Sequence, residues 1–301
     1  MATTTSSASE LLAPGLRAIF FDTLQARPEE FSQVFNIGSS VRNFEEDLQF
    51  SGLSAALKKN QGSPIQFDDP VQGGKVRYTM DTYALGFRAT LEMMQDDLYN
   101  IIAKMPAKLA ISLGNSVESV AWNLINQGFV NTTFTGFDTL ELFSASHVFL
   151  KTNNLFTNIQ STPVDLTTSG VKQALIILGN TKDDSEFPSM VAPKWLLVQE
   201  EQKHIAQQIL GGNNEAFTAN RQINVIGTEA TGLRVFVSHY LTSTTVWGII
   251  GQQHDMNFFW RLRPVFDNAD DFITKDALFS GLARFQIGFG DPRGLVFSQG
   301  A

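Results

Sequence analysis

Four histidines, His147, His204, His239 and His254, are the residues best suited to acid–base or metal chemistry in this chain. No H-x-x-x-H or H-E-x-x-H spacing joins any two of them, so a zinc site has no local support. The acidic pairs Asp68–Asp69, Asp96–Asp97, Asp183–Asp184 and Asp270–Asp271 could each ligate a cation. Adjacent residues on a strand point to opposite faces, however, and Asp96–Asp97 stands where a helix opens, a place that favours carboxylates for the dipole alone. The pairs therefore read as structural or solvated. Gly288-Phe289-Gly290 ends an apolar run with no helix after it, which makes a weak phosphate cradle. There is no G-x-S-x-G elbow and no P-loop. Cysteine is absent, which removes thiolate catalysis, disulfides and cysteine metal sites together. His147, in LFSASH, reads as a loop histidine bonded to backbone in preference to a catalytic one. The residues give no catalytic, cofactor-binding or metal-binding constellation, and no cofactor is expected.

The elements around these residues follow from composition and periodicity. Of 301 residues, 43% are hydrophobic and only 17% charged, so a substantial core is available to one large or two intermediate domains. The 25 Phe outnumber four Tyr and four Trp, a balance that suits buried cores and subunit contacts better than sugar or base stacking. A net charge of −8 without a basic run argues against specific nucleic-acid binding. No run reaches the length of a membrane span, and MATTTSSASE lacks the basic and apolar regions of a secretory signal. A soluble protein made in a cytosol is expected.

The stretch Asp97–Gly128 organises the chain. Ile102, Met105, Leu109, Leu113, Val117, Val120, Leu124 and Ile125 fall at steps of three and four, predicting one apolar stripe on a helix roughly 40 Å long. Gly128 is placed to stop it, and Pro106 to kink or restart it. Glu118 and Asn123 fall off the stripe and predict a far side that meets water or another subunit. Before this helix, residues 1–10 read as disordered, and Leu12 to Leu24 as a short amphipathic helix ending before Pro28. With Phe31, Val34, Phe35 and Ile37 it forms an apolar arm that must dock either on its own core or on a neighbour. Residues 41–85 read as an extended hairpin: Phe44 to Phe50 alternates, a polar Gly- and Pro-rich middle follows, and Lys75 to Tyr83 alternates again. It holds too few apolar residues for a core of its own, so it is a lid or an arm pairing with another chain.

After the helix comes a loop-rich return, residues 130–149, and then a compact α/β unit. Thr168 or Ser169 is expected to cap a helix carrying Val171, Leu175 and Leu178. Lys194–Val198 reads as a buried strand, and Gln199–Leu210 as a helix with Ile205 and Ile209 inward, closed by Gly211–Gly212. Strands are expected at Ile223–Ile226, Leu233–Val237, Thr245–Ile250 and Met256–Arg263. Ala277 to Phe289 alternates throughout, with Arg284 and Gln286 opposite the apolar face, the natural sheet partner for the long helix.

The order of arm, hairpin, long helix, inserted α/β unit and return strand resembles the major capsid protein of tailed phages, of Hong Kong 97-type fold. Within it the chain is most similar to the major head subunits of Mu-like phages. The resemblance is carried by PIQFDD (64–69), Thr82-Tyr83-Ala84-Leu85-Gly86-Phe87-Arg88, EMMQDDLY (92–99) and GFDTLELFSASH (136–147). It continues through APKWLLVQEE (192–201), RQINVIG (221–227) and ARFQIGFGDPRGLVFSQGA (283–301). It implies an α+β fold with an N-arm (1–40), an E-loop (41–82), a P-domain with a spine helix (83–165 and 266–301) and an A-domain (166–265).

The function implied is structural, not enzymatic: hexamers and pentamers of one subunit closing an icosahedral head around double-stranded DNA. Its partners would be itself, a scaffolding protein, the portal, decoration proteins and DNA contacted non-specifically, with no membrane. Its place would be the virion, after assembly in a bacterial cytoplasm. Some members cross-link an E-loop lysine to a neighbour; Lys58 and Lys59 lie in that segment but read as solvated charges. Some members carry a scaffolding segment before the arm. Here the arm begins near Met1, so a separate scaffold is expected to act through Leu12 to Phe35. The alternatives are an encapsulin-like nanocompartment shell, or a hydrolase with residues 41–85 as a lid over a site near His147 or His239.

Overall fold

The computed structural model describes residues 8–90, 92–93, 96, 101–130, 133–160, 162–211, 224–227, 231–271, 273–274 and 276–300, with side chains from residue 14 onward. The expected first turn of the long helix at Asp97, the tail before Ala8, Gly212 and Ile223 lie outside them. The chain forms two compact units, Met1–Glu45 with Tyr78–Ala121 and Asn257–Ile287, and Glu46–Arg77 with Trp122–Met256 and Gly288–Ala301.

The first unit is a helix on a sheet. Four strands run in the order β1, β10, β11, β4: β1 (Asn36–Ser39), β4 (Asp81–Ala89), β10 (Met256–Asp270) and β11 (Ala277–Phe289). β1 lies parallel to β10, with Asn36 opposite Asn257, and β4 antiparallel to β11, with Asp81 opposite Phe285. The alternation of β11 is realised residue by residue: Ala277, Phe279, Gly281, Ala283, Phe285 and Ile287 are buried. Against this face lies α3 (Ile101–Asn126), whose Ile102, Leu109, Leu113 and Val117 are buried, with Met105 half-buried. Gly281 makes the close approach possible, since a Cβ there would touch Leu113 at 3.3 Å and Phe20 at 3.4 Å. The helix continues through Pro106 without the expected break; one lost backbone bond is tolerated where packing on a sheet holds the helix along its length.

Phenylalanine builds this core. Phe31 stacks on Phe258 at 4.5 Å, Phe258 on Phe285 at 5.0 Å, and Phe20 meets Phe266 at 5.2 Å. The apolar arm thus docks within its own unit. α1 (Ala8–Ala26) begins inside the segment expected to be disordered and buries Leu16 and Phe20. α2 (Phe31–Val34) buries both its ends. Glu118 departs from expectation: it is 2% exposed, and its carboxylate accepts the backbone N–H of Glu30 at 2.7 Å and of Phe31 at 3.2 Å. The first N–H groups of a helix have no partner in the helix itself, and here a residue of another helix supplies one. Asn123, the other off-stripe residue, is half-buried.

In the second unit a sheet runs in the order β12, β9, β7, β8, from β7 (Pro193–Gln199), β8 (Arg234–Ser238), β9 (Trp247–Gly251) and β12 (Leu295–Ser298). β7 is parallel to β8 and antiparallel to β9, and β12 is antiparallel to β9. Two helices cover it. α4 (Thr168–Gly179) buries Val171 and Leu178, but its cap is Thr167, whose hydroxyl accepts the Gly170 N–H at 3.1 Å, and not Thr168 or Ser169. α5 (Lys203–Gly211) follows a single 3-10 turn at Glu200–Gln202 and turns Ala206, Ile209 and Leu210 inward, leaving Ile205 outside. Of the expected inward pair Ile209 is buried, while Ile205, at the edge of the face centred on Ala206, Ile209 and Leu210, stays 43% exposed. The strand expected at Ile223–Ile226 is a turn over its described residues, held by the Asn224 amide donating to Ile209 O at 2.6 Å.

The expected hairpin is present in part. β2 (Phe44–Phe50) and β3 (Gln72–Thr79) form a two-stranded sheet. The second strand does not run on to Tyr83; the chain leaves the ladder at Met80 and re-pairs as β4 in the first unit's sheet. Alternation continues across Met80, so periodicity gives no sign of the change of partner. The return segment holds two short strands, β5 (His147–Val148) and β6 (Leu155–Phe156), paired antiparallel.

Candidate functional site

The segment between β2 and β3, residues 51–71, contains neither helix nor strand. It is nevertheless rich in apolar side chains turned to solvent: Phe67 is 93% exposed and Leu57 70%, with Leu53, Ile65 and Val71 also exposed. Several large apolar groups outside any core mark a surface that another molecule covers. Polar contacts fix the segment to its unit. Ser51 and Val71 bond to each other across its base, at 2.9 Å through both backbone and side chain. Farther out, the Asp68 carboxylate accepts from Ser54 N–H at 2.6 Å and from Lys151 Nζ at 2.5 Å. The Lys151 hydrogen bond first, then that of Ser54, hold the Asp68 carboxyl down to about 2. On the strands, Glu46 accepts from Arg77 Nε at 2.7 Å. Lys58 and Lys59 are exposed in the loop.

Beside Gly52 lies a cavity of about 390 Å³ lined by Asp183, Asp184, His254, Asp255 and Arg293 among others. Its acids are engaged by the chain itself. Buried Asp184 pairs with Arg293 at 3.1 Å and accepts the Leu150 N–H at 3.3 Å. Asp183 accepts from Ser185 and Phe187 N–H at 2.9 and 2.8 Å. Asp255 takes the N–H groups of Gly290 and Asp291 at 3.0 and 2.9 Å. The Gly290 donor at the end of Gly288-Phe289-Gly290 is therefore taken by an internal carboxylate. Among the described residues no three His, Asp or Glu side chains converge as a metal site.

The four histidines have different partners. His204 is exposed on α5, His239 Nε2 lies 3.9 Å from Glu200, and His254 Nδ1 accepts the Met256 N–H at 3.3 Å. His147 is fully buried and bonded not to backbone but to Asp138, at 2.6 Å from Nδ1. Burial raises the Asp138 carboxyl, but the hydrogen bond and charge of His147 outweigh it and leave the group lowered. Asp271 accepts the Ile273 N–H at 2.8 Å, and Asp96 stands in a bend. Asp138 and Lys151 escape a reading by motif, because each meets its partner through the fold, and Arg293 reaches Asp184 the same way while also pairing locally with Asp291. No described helix is long and apolar enough to cross a membrane.

Comparison with known proteins gives this architecture a place. A comparison with curated protein sequences returns no match. Among solved structures, that of Mycobacterium phage Patience is similar with a TM-score of 0.59 at 11% identity, over 99% of this chain and 88% of that one. The procapsid of bacteriophage JBD30 gives 0.53 at 12%, over 98% and 76%, and the virus-like particle from Pyrococcus furiosus 0.52 at 11%, over 95% and 98%. At these identities the likeness is one of fold, the Hong Kong 97-type α+β fold. Residues 73–297 match the profile of a family described as phage capsid protein. The chain belongs to the phage capsid protein family, and its role is structural, as a subunit of the capsid shell.

Proposed function

We propose that this protein is the major head subunit of a tailed phage, nearest the Mu-like group, and that copies of it close as hexamers and pentamers into an icosahedral shell around double-stranded DNA. The observation that carries this reading is the 51–71 loop, with Phe67, Leu57 and Ile65 exposed on a segment tied down by polar contacts. Such a loop gains burial only against another molecule, and in a shell of identical subunits the nearest surface is the next copy. In this reading residues 1–40 are the N-arm, 41–82 the E-loop, 83–165 with 266–301 the P-domain and 166–265 the A-domain. The net charge of −8 suits DNA held by confinement and counterions. Portal and decoration proteins complete the head, and the subunit performs no catalysis.

A separate scaffolding protein guides closure in this reading, since hexamer and pentamer contacts differ only slightly and near-equal interfaces that fail to close give tubes or sheets. The arm is a poor receptor for it. Leu16, Phe20, Phe31, Val34 and Phe35 are already buried, so deleting residues 11–35 would strip a core before it tested scaffold binding. Negative-stain microscopy of the purified protein tests the proposal. Closed shells, tubes and capsomers are the expected particles, narrowed to uniform shells by the scaffold; discrete dimers or trimers alone would contradict it.

A further inference from the structure

The turn carrying Asp138 is held more tightly than a surface return requires. Gly136 N–H donates to Leu140 O at 3.1 Å, and Thr139 N–H to Gly136 O at 3.0 Å. Thr139 has φ 62°, a left-handed conformation that a β-branched residue keeps only when its surroundings impose it. Asp138 imposes it from both oxygens: Oδ1 accepts the Leu140 N–H at 3.2 Å, and Oδ2 takes the Nδ1–H of His147. His147 stacks on Phe156 at 5.2 Å, and its buried Nε2 has no hydrogen-bond partner. Leaving a polar atom so disfavours folding, and an apolar ring would fill the same space without that penalty. The imidazole is explained by what its other nitrogen holds.

Phe137, the residue before Asp138 in the turn, is clamped between two glycines. A Cβ on Gly74, in β3 at the root of the 51–71 loop, would run into the Phe137 carbonyl oxygen. A Cβ on Gly290 would lie 2.6 Å from the Phe137 ring, and Phe137 N–H donates to Gly290 O at 3.0 Å. At Gly73 a Cβ would meet Leu150 at 2.9 Å. The loop therefore leaves its unit across backbone that sits directly on the turn, with no side chain between to absorb a shift.

We propose that the Gly136–Leu140 turn, tied through Asp138 to His147, is the seat that fixes the direction of the 51–71 loop, and that His147 is a positioning residue for that loop. The consequence for assembly rests on the reading that the loop contacts a neighbouring copy. The seat itself does not, and the two are tested apart. The chain has no cysteine, so spin labels at Gln72→Cys and Gln207→Cys, both exposed, report one distance without background in unassembled subunits. The parent should give a narrow distribution. His147→Phe and Gly74→Ala should each broaden or displace it, while His147→Asn, whose amide nitrogen reaches the place of Nδ1, should restore it. Val171→Ala, a core change elsewhere in the same unit, should leave it narrow. The proposal is overturned if His147→Phe and Gly74→Ala both match the parent, if Asn fails to rescue, or if Val171→Ala broadens the distance equally. A broadened His147→Phe subunit that still forms normal shells would leave the seat standing and count against the loop's role between copies.

Discussion

Glu118 joins two helices through two backbone N–H groups, and its loss has a readable cost. Glu118→Ala leaves the Glu30 and Phe31 donors without their acceptor. Stability should fall by about 1.5–3 kcal/mol, the range for a hydrogen bond to a charged group. The urea midpoint measures it, with exposed Glu29→Gln as the near-silent control. Asp68 offers a second test, in acid. Its folded carboxyl lies at about 2 against 3.8 when free, so its hold on Lys151 is complete above pH 3.8 and is lost as pH falls toward 2. A fluorophore at Lys59→Cys should keep a high anisotropy from neutral pH down to that window, and Asp68→Asn should lower it above the window and converge with the parent below it. Equal anisotropy in parent and variant at neutral pH would mean the ion pair does not hold the loop. Neither role was legible in sequence. Glu118 reads as a polar residue off the stripe because its partners lie 87 and 88 residues away, and Lys151 meets Asp68 across 83.

At the scale of elements, what depends on near neighbours was legible and what depends on distant pairing was not. The stripe of α3 and the alternation of β11 are written into consecutive turns and residues, and both face inward, the stripe with Met105 and Val120 half-buried. The break at Met80, the short β12 and the parallel β1 depend on which strand lies alongside, and no local period encodes that. α5 shows the same limit on a small scale, since its inward face is centred on Ala206, Ile209 and Leu210 and leaves Ile205 at the edge. The packing of α3 on β11 predicts its own failure. Leu113 is 1% exposed and faces Gly281, so Leu113→Asp puts an unpaired carboxylate between helix and sheet, at a cost of several kcal/mol. The subunit should aggregate or fail to fold on expression, and soluble protein with parental far- and near-UV circular dichroism would contradict the buried face.

For the whole molecule, charge is scarce, Phe is abundant within the units, and Phe67, Leu57, Ile65 and Leu53 stand exposed together on one loop between two strands. This division suits a protein that folds alone and buries its remaining surface against copies of itself. The architecture was legible as an order of elements; the seat under the loop was not, because Asp138, His147, Gly74 and Gly290 come together only in the fold. The most direct test of the central claim is limited proteolysis of residues 52–74 in free subunits and in purified shells. Rapid cleavage in the free subunit and protection in the shell are the expected results; equal cleavage in both states would contradict a loop that works between copies.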